Sequence, residues 1–212
     1  MGPTRRAAAL GAAACLIAGG AAVTVAVVAG PVPAWTGYVS EAGAGPGAHA
    51  SAYRMGVLSV AVGLALLAAV VLATSRMAAG LLAGAAAGAA LSGSVTCSAG
   101  CPLPPFDAAT TADLVHGGAS IVAVAACVLA MPAVARAAPR LRRGSLVAAG
   151  VALPLSATVG VSMLVLGRGA VVGLVERALL VTIALWLVGL AVTLRCRPAR
   201  HAPAEPPVRP RR

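Results

Sequence analysis

Apolar positions along this chain gather into six long runs, at about residues 7–29, 55–74, 78–95, 114–135, 145–166 and 172–195, each closed by arginine, glycine or proline. Each run is about 18–24 residues, the length with which a helix crosses a hydrocarbon layer of ~30 Å. Hydrocarbon offers no water to unpaired backbone groups, so runs this long must be helical. The pattern predicts an all-α polytopic membrane protein, a six-helix transmembrane bundle filling residues 1–195. The proline- and arginine-rich remainder, residues 196–212, has no apolar period and is expected to be a disordered basic tail.

Composition agrees: 60% of the 212 residues are hydrophobic and mean hydropathy is +0.96. Such a chain has room for one compact bundle and no separate soluble domain. A net charge of +11 would suggest nucleic acid in a soluble protein, but its distribution gives a better account. Thirteen of the sixteen arginines fall between alternate runs: Arg5, Arg6, Arg76, Arg136, Arg140, Arg142, Arg143, Arg195, Arg197, Arg200, Arg209, Arg211 and Arg212. Only Arg54, Arg168 and Arg177 fall on the other side, with Glu41, Asp107, Asp113 and Glu176. Basic residues in short loops stay cytoplasmic, so both termini are expected in the cytoplasm of a bacterial inner membrane. Trp35, Tyr38, Tyr53 and Phe106 lie in or beside the arginine-poor loops, where an interfacial aromatic belt belongs. Nucleic acid is not an expected partner. The first run, with Arg5 and Arg6 before it, exceeds the apolar core of a signal peptide and reads as a retained helix.

Two outer loops are longer than a connection needs, residues 30–54 and 96–112, and such loops tend to carry function. The second reads TCSAGCPLPPFDAATTA. Its Cys97 and Cys101 lie in a compartment that permits disulfides, and a structural disulfide is the leading reading; free thiols or metal ligation remain open. Gly80, Gly84 and Gly88 lie four apart on one helix face, a seam either for packing inside the bundle or for a homo-oligomer. Pro154 should kink the fifth helix.

Asp113 and His116, three apart, open the fourth helix and share one of its faces. Asp113 is placed to cap that helix. His116 lies one turn deeper, where an ionisable ring needs a partner. It either bonds the cap or joins Asp113 in a metal or proton-handling site, with Glu41 or a cysteine helping. Glu176 and Arg177 interrupt the outer part of the sixth run; Glu176 is expected to turn toward His116 or Arg54, and Arg177 to reach a lipid phosphate. Arg168 reads as a residue of a hydrated turn.

The segments YVSEAGA, CSAGCPLPPFDAATTADLVHGGAS and GLVER, with Arg54 opening the second helix, resemble the DUF998 membrane proteins over about residues 7–195. The family is distantly similar to the Frag1/DRAM/Sfk1 group of six-helix proteins. The resemblance implies fold and topology but no activity, and carries over Ser40, Glu41, Asp113, His116 and Arg177. The expected function is non-enzymatic. Ser40, Glu41, Asp113, His116, Glu176 and Arg177 would form one polar cluster at the outer end that binds a membrane lipid headgroup or small amphiphile, without a cofactor. The alternative is a membrane-embedded metal-dependent hydrolase using Asp113 and His116, with Glu41 as ligand or base. Thiol chemistry at Cys97 and Cys101 stands third.

Overall fold

The computed structural model describes residues 2–30 and 35–195, so the expected tail 196–212 lies outside the described residues. Six helices make up the bundle: α1 (Pro3–Ala29), α2 (Ala48–Leu72), α3 (Arg76–Ser94), α4 (Thr111–Ala137), α5 (Arg142–Val165) and α6 (Ala170–Arg195). All six are long and apolar enough to cross a membrane. Short 3-10 turns at Val39–Gly43 and Pro139–Leu141 are the other helical elements among the described residues.

The helix starts follow local chemistry. Pro3 opens α1, where its missing N–H costs nothing. Ser75 caps α3 by accepting from the Ala78 N–H at 3.2 Å, and Thr110 caps α4 in a capping box with Asp113. The second helix begins at Ala48 rather than at 55, which puts His49, Tyr53 and Arg54 on helical turns. Hydropathy does not register this extension, because an interfacial turn keeps its polar side chains while its backbone is already paired. Pro154 lies inside α5, and Pro132 inside α4.

Consecutive helices pack as neighbours and α6 returns against α1, closing the ring. Missing Cβ atoms let backbones approach. A Cβ on Gly19 of α1 would stand 2.5 Å from the Gly56 carbonyl of α2, and one on Gly88 of α3 would stand 2.8 Å from the Ala119 carbonyl of α4. Gly88 thus serves packing within the bundle, while a Cβ on Gly80 or Gly84 would meet nothing within 4 Å.

Toward one end Leu67, Val70, Leu82, Met131 and Leu194 are sealed from solvent. Arg5 of α1 donates to the Val70 carbonyl there, at 2.5 Å. Large apolar side chains such as Ile17, Val28, Met55, Leu164 and Leu185 stay exposed on the outer faces. In water such a surface would aggregate; against acyl chains it carries no such cost. Loop residues 35–47, 95–110 and 166–169 meet at the other end.

Candidate functional site at the loop-rich end

The first long loop is stitched to the start of α6 by three polar contacts. The Gly37 carbonyl accepts from Arg177 Nη1 at 3.1 Å, and the Val39 N–H donates to Glu176 Oε2 at 3.0 Å. Glu41 takes both Nε and Nη2 of Arg168, at 2.7 and 2.6 Å, and its Oε1 also accepts from the Tyr38 N–H at 2.8 Å. Glu41 is 3% exposed and the Arg168 side chain 45% exposed. The carboxylate is therefore buried and the guanidinium reaches it from the wet side.

Two glycines make room for this stitching. Gly37 sits at φ +82°, and a Cβ there would run into the Glu41 carboxylate. A Cβ on Gly173, one turn before Arg177, would stand 2.5 Å from the Gly37 carbonyl and 2.7 Å from Arg177 Nη1. Arg177 also donates to the Gly173 carbonyl at 2.7 Å, so the guanidinium is held by backbone. Arg54 likewise bonds its own helix, at the Ala50 carbonyl. Glu176 bonds the first loop in place of the expected His116 or Arg54, and Arg177 Nη1 bonds the Gly37 and Gly173 carbonyls. Those loop partners lie 137 and 140 residues away, beyond the reach of pattern reading.

The second long loop is fixed by Asp113. Its carboxylate accepts from Ser98 N at 2.6 Å, Ser98 Oγ at 3.2 Å, Thr110 N at 2.8 Å and Thr110 Oγ1 at 2.7 Å. Asp113 is thus both helix cap and anchor of the segment between the two cysteines. Cys97 and Cys101 are joined in a disulfide, with Cα atoms 5.0 Å apart.

His116, 4% exposed, turns away from Asp113. Its Nδ1 lies 2.9 Å from the Ser92 carbonyl and 2.8 Å from the Val95 carbonyl. Two acceptors require a donor, so Nδ1 carries the proton. Nε2 is buried and has no hydrogen-bond partner among the described residues.

The six expected site residues therefore fall into two groups, Glu41, Glu176 and Arg177 on the first loop and α6, Asp113 and His116 on the second loop and α4. Ser40 joins them by donating to Cys101 Sγ at 3.4 Å. Four of the six (Ser40, Asp113, His116 and Glu176) line one cavity of about 270 Å³, while Glu41 and Arg177 are not among its lining residues. The cavity reaches from these groups down to Leu64, Cys127 and Leu187. From His116 to Cys127 is eleven residues of α4, or ~16 Å at the helical rise. Ile121 and Ala184 line the cavity and are themselves exposed, Ile121 at 57%, so it opens sideways between α4 and α6.

Tyr38 stands at the polar end. Burial, reinforced by the negative charges of Glu176, Glu41 and Asp107, raises its pKa above the ordinary tyrosine value, so it is a protonated donor at neutral pH. Hydrogen bonding to Glu41 raises Arg168 further above its already high value.

The family model for DUF998, a protein of unknown function, matches residues 10–193. The chain belongs to the DUF998 family. The match takes in α2 to α5 and both long loops whole, and most of α1 and α6. No curated protein and no solved structure matches the chain. Within this DUF998 protein, sequence reading missed Tyr38, Ser92 and Ser120 as cavity-lining residues and Arg168 as the partner of Glu41. The turn that holds Arg168, Gly167-Arg168-Gly169, carries no apolar neighbour to suggest a buried partner. The surplus acid Glu41 across the same end was the available signal.

Proposed function

We propose that this protein binds a small amphiphile or a membrane lipid within the outer half of its bundle, as a non-enzymatic component of transport, sensing or an accessory pathway in the bacterial cell membrane. The supporting observation is the cavity: a mostly apolar space between α1, α2, α3, α4 and α6 that ends in Tyr38, Ser40, Ser92, His116, Ser120 and Glu176. Pockets of this kind, mostly apolar with a few convergent polar groups, suit a ligand with a chain and a headgroup. The side opening between α4 and α6 lets such a ligand arrive from the bilayer without crossing water. The arginine distribution supports an orientation with the loop-rich end away from the cytoplasm. Arg168 and Arg177 are engaged with Glu41 and with backbone carbonyls, so the polar end favours hydroxyl or amine headgroups over a bare phosphate.

A hydrolase built on Asp113, His116 and Glu41 draws no support from this geometry, because both carboxylates are already filled with donors. The test is native mass spectrometry of protein released from vesicles of phosphatidylethanolamine, phosphatidylglycerol and cardiolipin. A bound lipid that survives detergent exchange is expected. Ala184→Trp, which closes the side opening, should remove it.

A further inference from the structure

Cys97 Sγ, Cys101 Sγ and His116 form a second constellation at the top of the cavity. One ligand atom from each lies within 4.8 Å of the other two, and all three residues are buried. The cysteines have the Cys-x3-Cys spacing found in zinc sites. His116 presents a free nitrogen: Nδ1 is fixed by two backbone carbonyls, and Nε2 is buried with no hydrogen-bond partner among the described residues. A histidine whose second nitrogen donates to a carbonyl is how proteins fix tautomer and ring orientation for metal binding. An unpartnered ring nitrogen otherwise costs a hydrogen bond. Asp113 completes the arrangement, since by holding Ser98 it sets the cysteine loop over the face of α4 that carries His116.

The geometry points to a redox-gated site in which the reduced Cys97–Cys101 pair and His116 Nε2 bind one Zn²⁺. A dithiol reductant gives two electrons and two protons to the disulfide, becoming a disulfide itself and leaving two thiols. Zn²⁺ then displaces both thiol protons as two Zn–S bonds form, with His116 Nε2 as third ligand. Bonds of ~2.3 Å to sulfur and ~2.0 Å to nitrogen set ligand atoms ~3.5–4 Å apart, so opening the sulfur pair is the adjustment required. Two thiolates cancel the dication, which lets the site stay buried. Three protein ligands leave a fourth position, and Cys101, His116 and Ser40 all line the cavity. A disulfide oxidant reverses this by thiol–disulfide exchange: it takes the two electrons, is itself reduced to a dithiol, and re-forms the Cys97–Cys101 bond, which removes two ligands and releases the ion. This inference does not depend on which amphiphile occupies the cavity.

The test is a Co²⁺ titration, cobalt standing in for zinc, of detergent-purified full chain carrying Cys15→Ala, Cys127→Ala and Cys196→Ala. Reduction is confirmed by a mass gain of two hydrogens, and helicity is followed by circular dichroism. The reduced chain should bind one Co²⁺ with a thiolate-to-cobalt charge-transfer band that zinc abolishes; the oxidised chain should show none. His116→Asn keeps a donor toward the Ser92 and Val95 carbonyls but removes Nε2. It should weaken binding by at least the ~10–100-fold that loss of an outer-shell partner costs. A folded, reduced chain without the band would overturn the proposal. So would equal affinity in His116→Asn, or loss of helicity on reduction.

Discussion

The Arg168 guanidinium grips the Glu41 carboxylate through two nitrogens, at 2.7 and 2.6 Å, and this pair pins the first long loop to the turn between α5 and α6. Because Glu41 is buried and Arg168 half exposed, the two partners are not equivalent. Removing the arginine strands a buried carboxylate; removing the glutamate leaves a cation that water can reach. Arg168→Ala is expected to lower unfolding stability in detergent by about 2–3 kcal/mol, and Glu41→Gln by less. Equal losses, or none for Arg168→Ala, would show that the pair is not buried as described.

Asp113 has a comparable dual role, as cap of α4 and anchor of the cysteine loop. Asp113→Ala should cost about 2 kcal/mol, a lost cap plus donors left without acceptors. It should also speed reduction of the Cys97–Cys101 disulfide, since the loop loses its hold at Ser98. Asp113→Asn, which keeps an acceptor oxygen, should be milder on both counts. An unchanged reduction rate in Asp113→Ala would separate the cap from the loop.

The disulfide is checked directly by peptide mapping without reductant. One cross-linked fragment holding Cys97 and Cys101 is expected. Recovery of two alkylated cysteines at these positions, from protein purified without reductant, would show that the reduced form dominates.

How much of this was legible beforehand differs between fold and site. The six helices could be read because a bilayer leaves an apolar run of that length no other structure, and the Asp113 cap because a helix start is local chemistry. Glu41 was visible as an acid, but its partner Arg168 is 127 residues away in a turn that looks hydrated. His116 was expected either to bond Asp113 or to join it in a metal or proton-handling site; its Nδ1 bonds the carbonyls of Ser92 and Val95, and no side-chain pattern announces a backbone acceptor. The early start of α2 escaped notice because hydropathy follows side chains while the helix follows backbone pairing.

Orientation rests on the arginine distribution and is tested by cysteine labelling in intact cells. Ala48→Cys, exposed at the start of α2, should react with a membrane-impermeant reagent. Ala204→Cys should not. The reverse pattern would invert the assignment and place the polar end of the cavity on the cytoplasmic side.

The central claim is that the cavity between α1, α2, α3, α4 and α6 holds an amphiphile, and native mass spectrometry of wild type beside Ala184→Trp tests it most directly. The account predicts a lipid or amphiphile adduct on the wild-type chain at one per protein, and its loss from Ala184→Trp with folding intact. Wild-type protein that sheds all lipid, or an adduct that persists unchanged in Ala184→Trp, would contradict it.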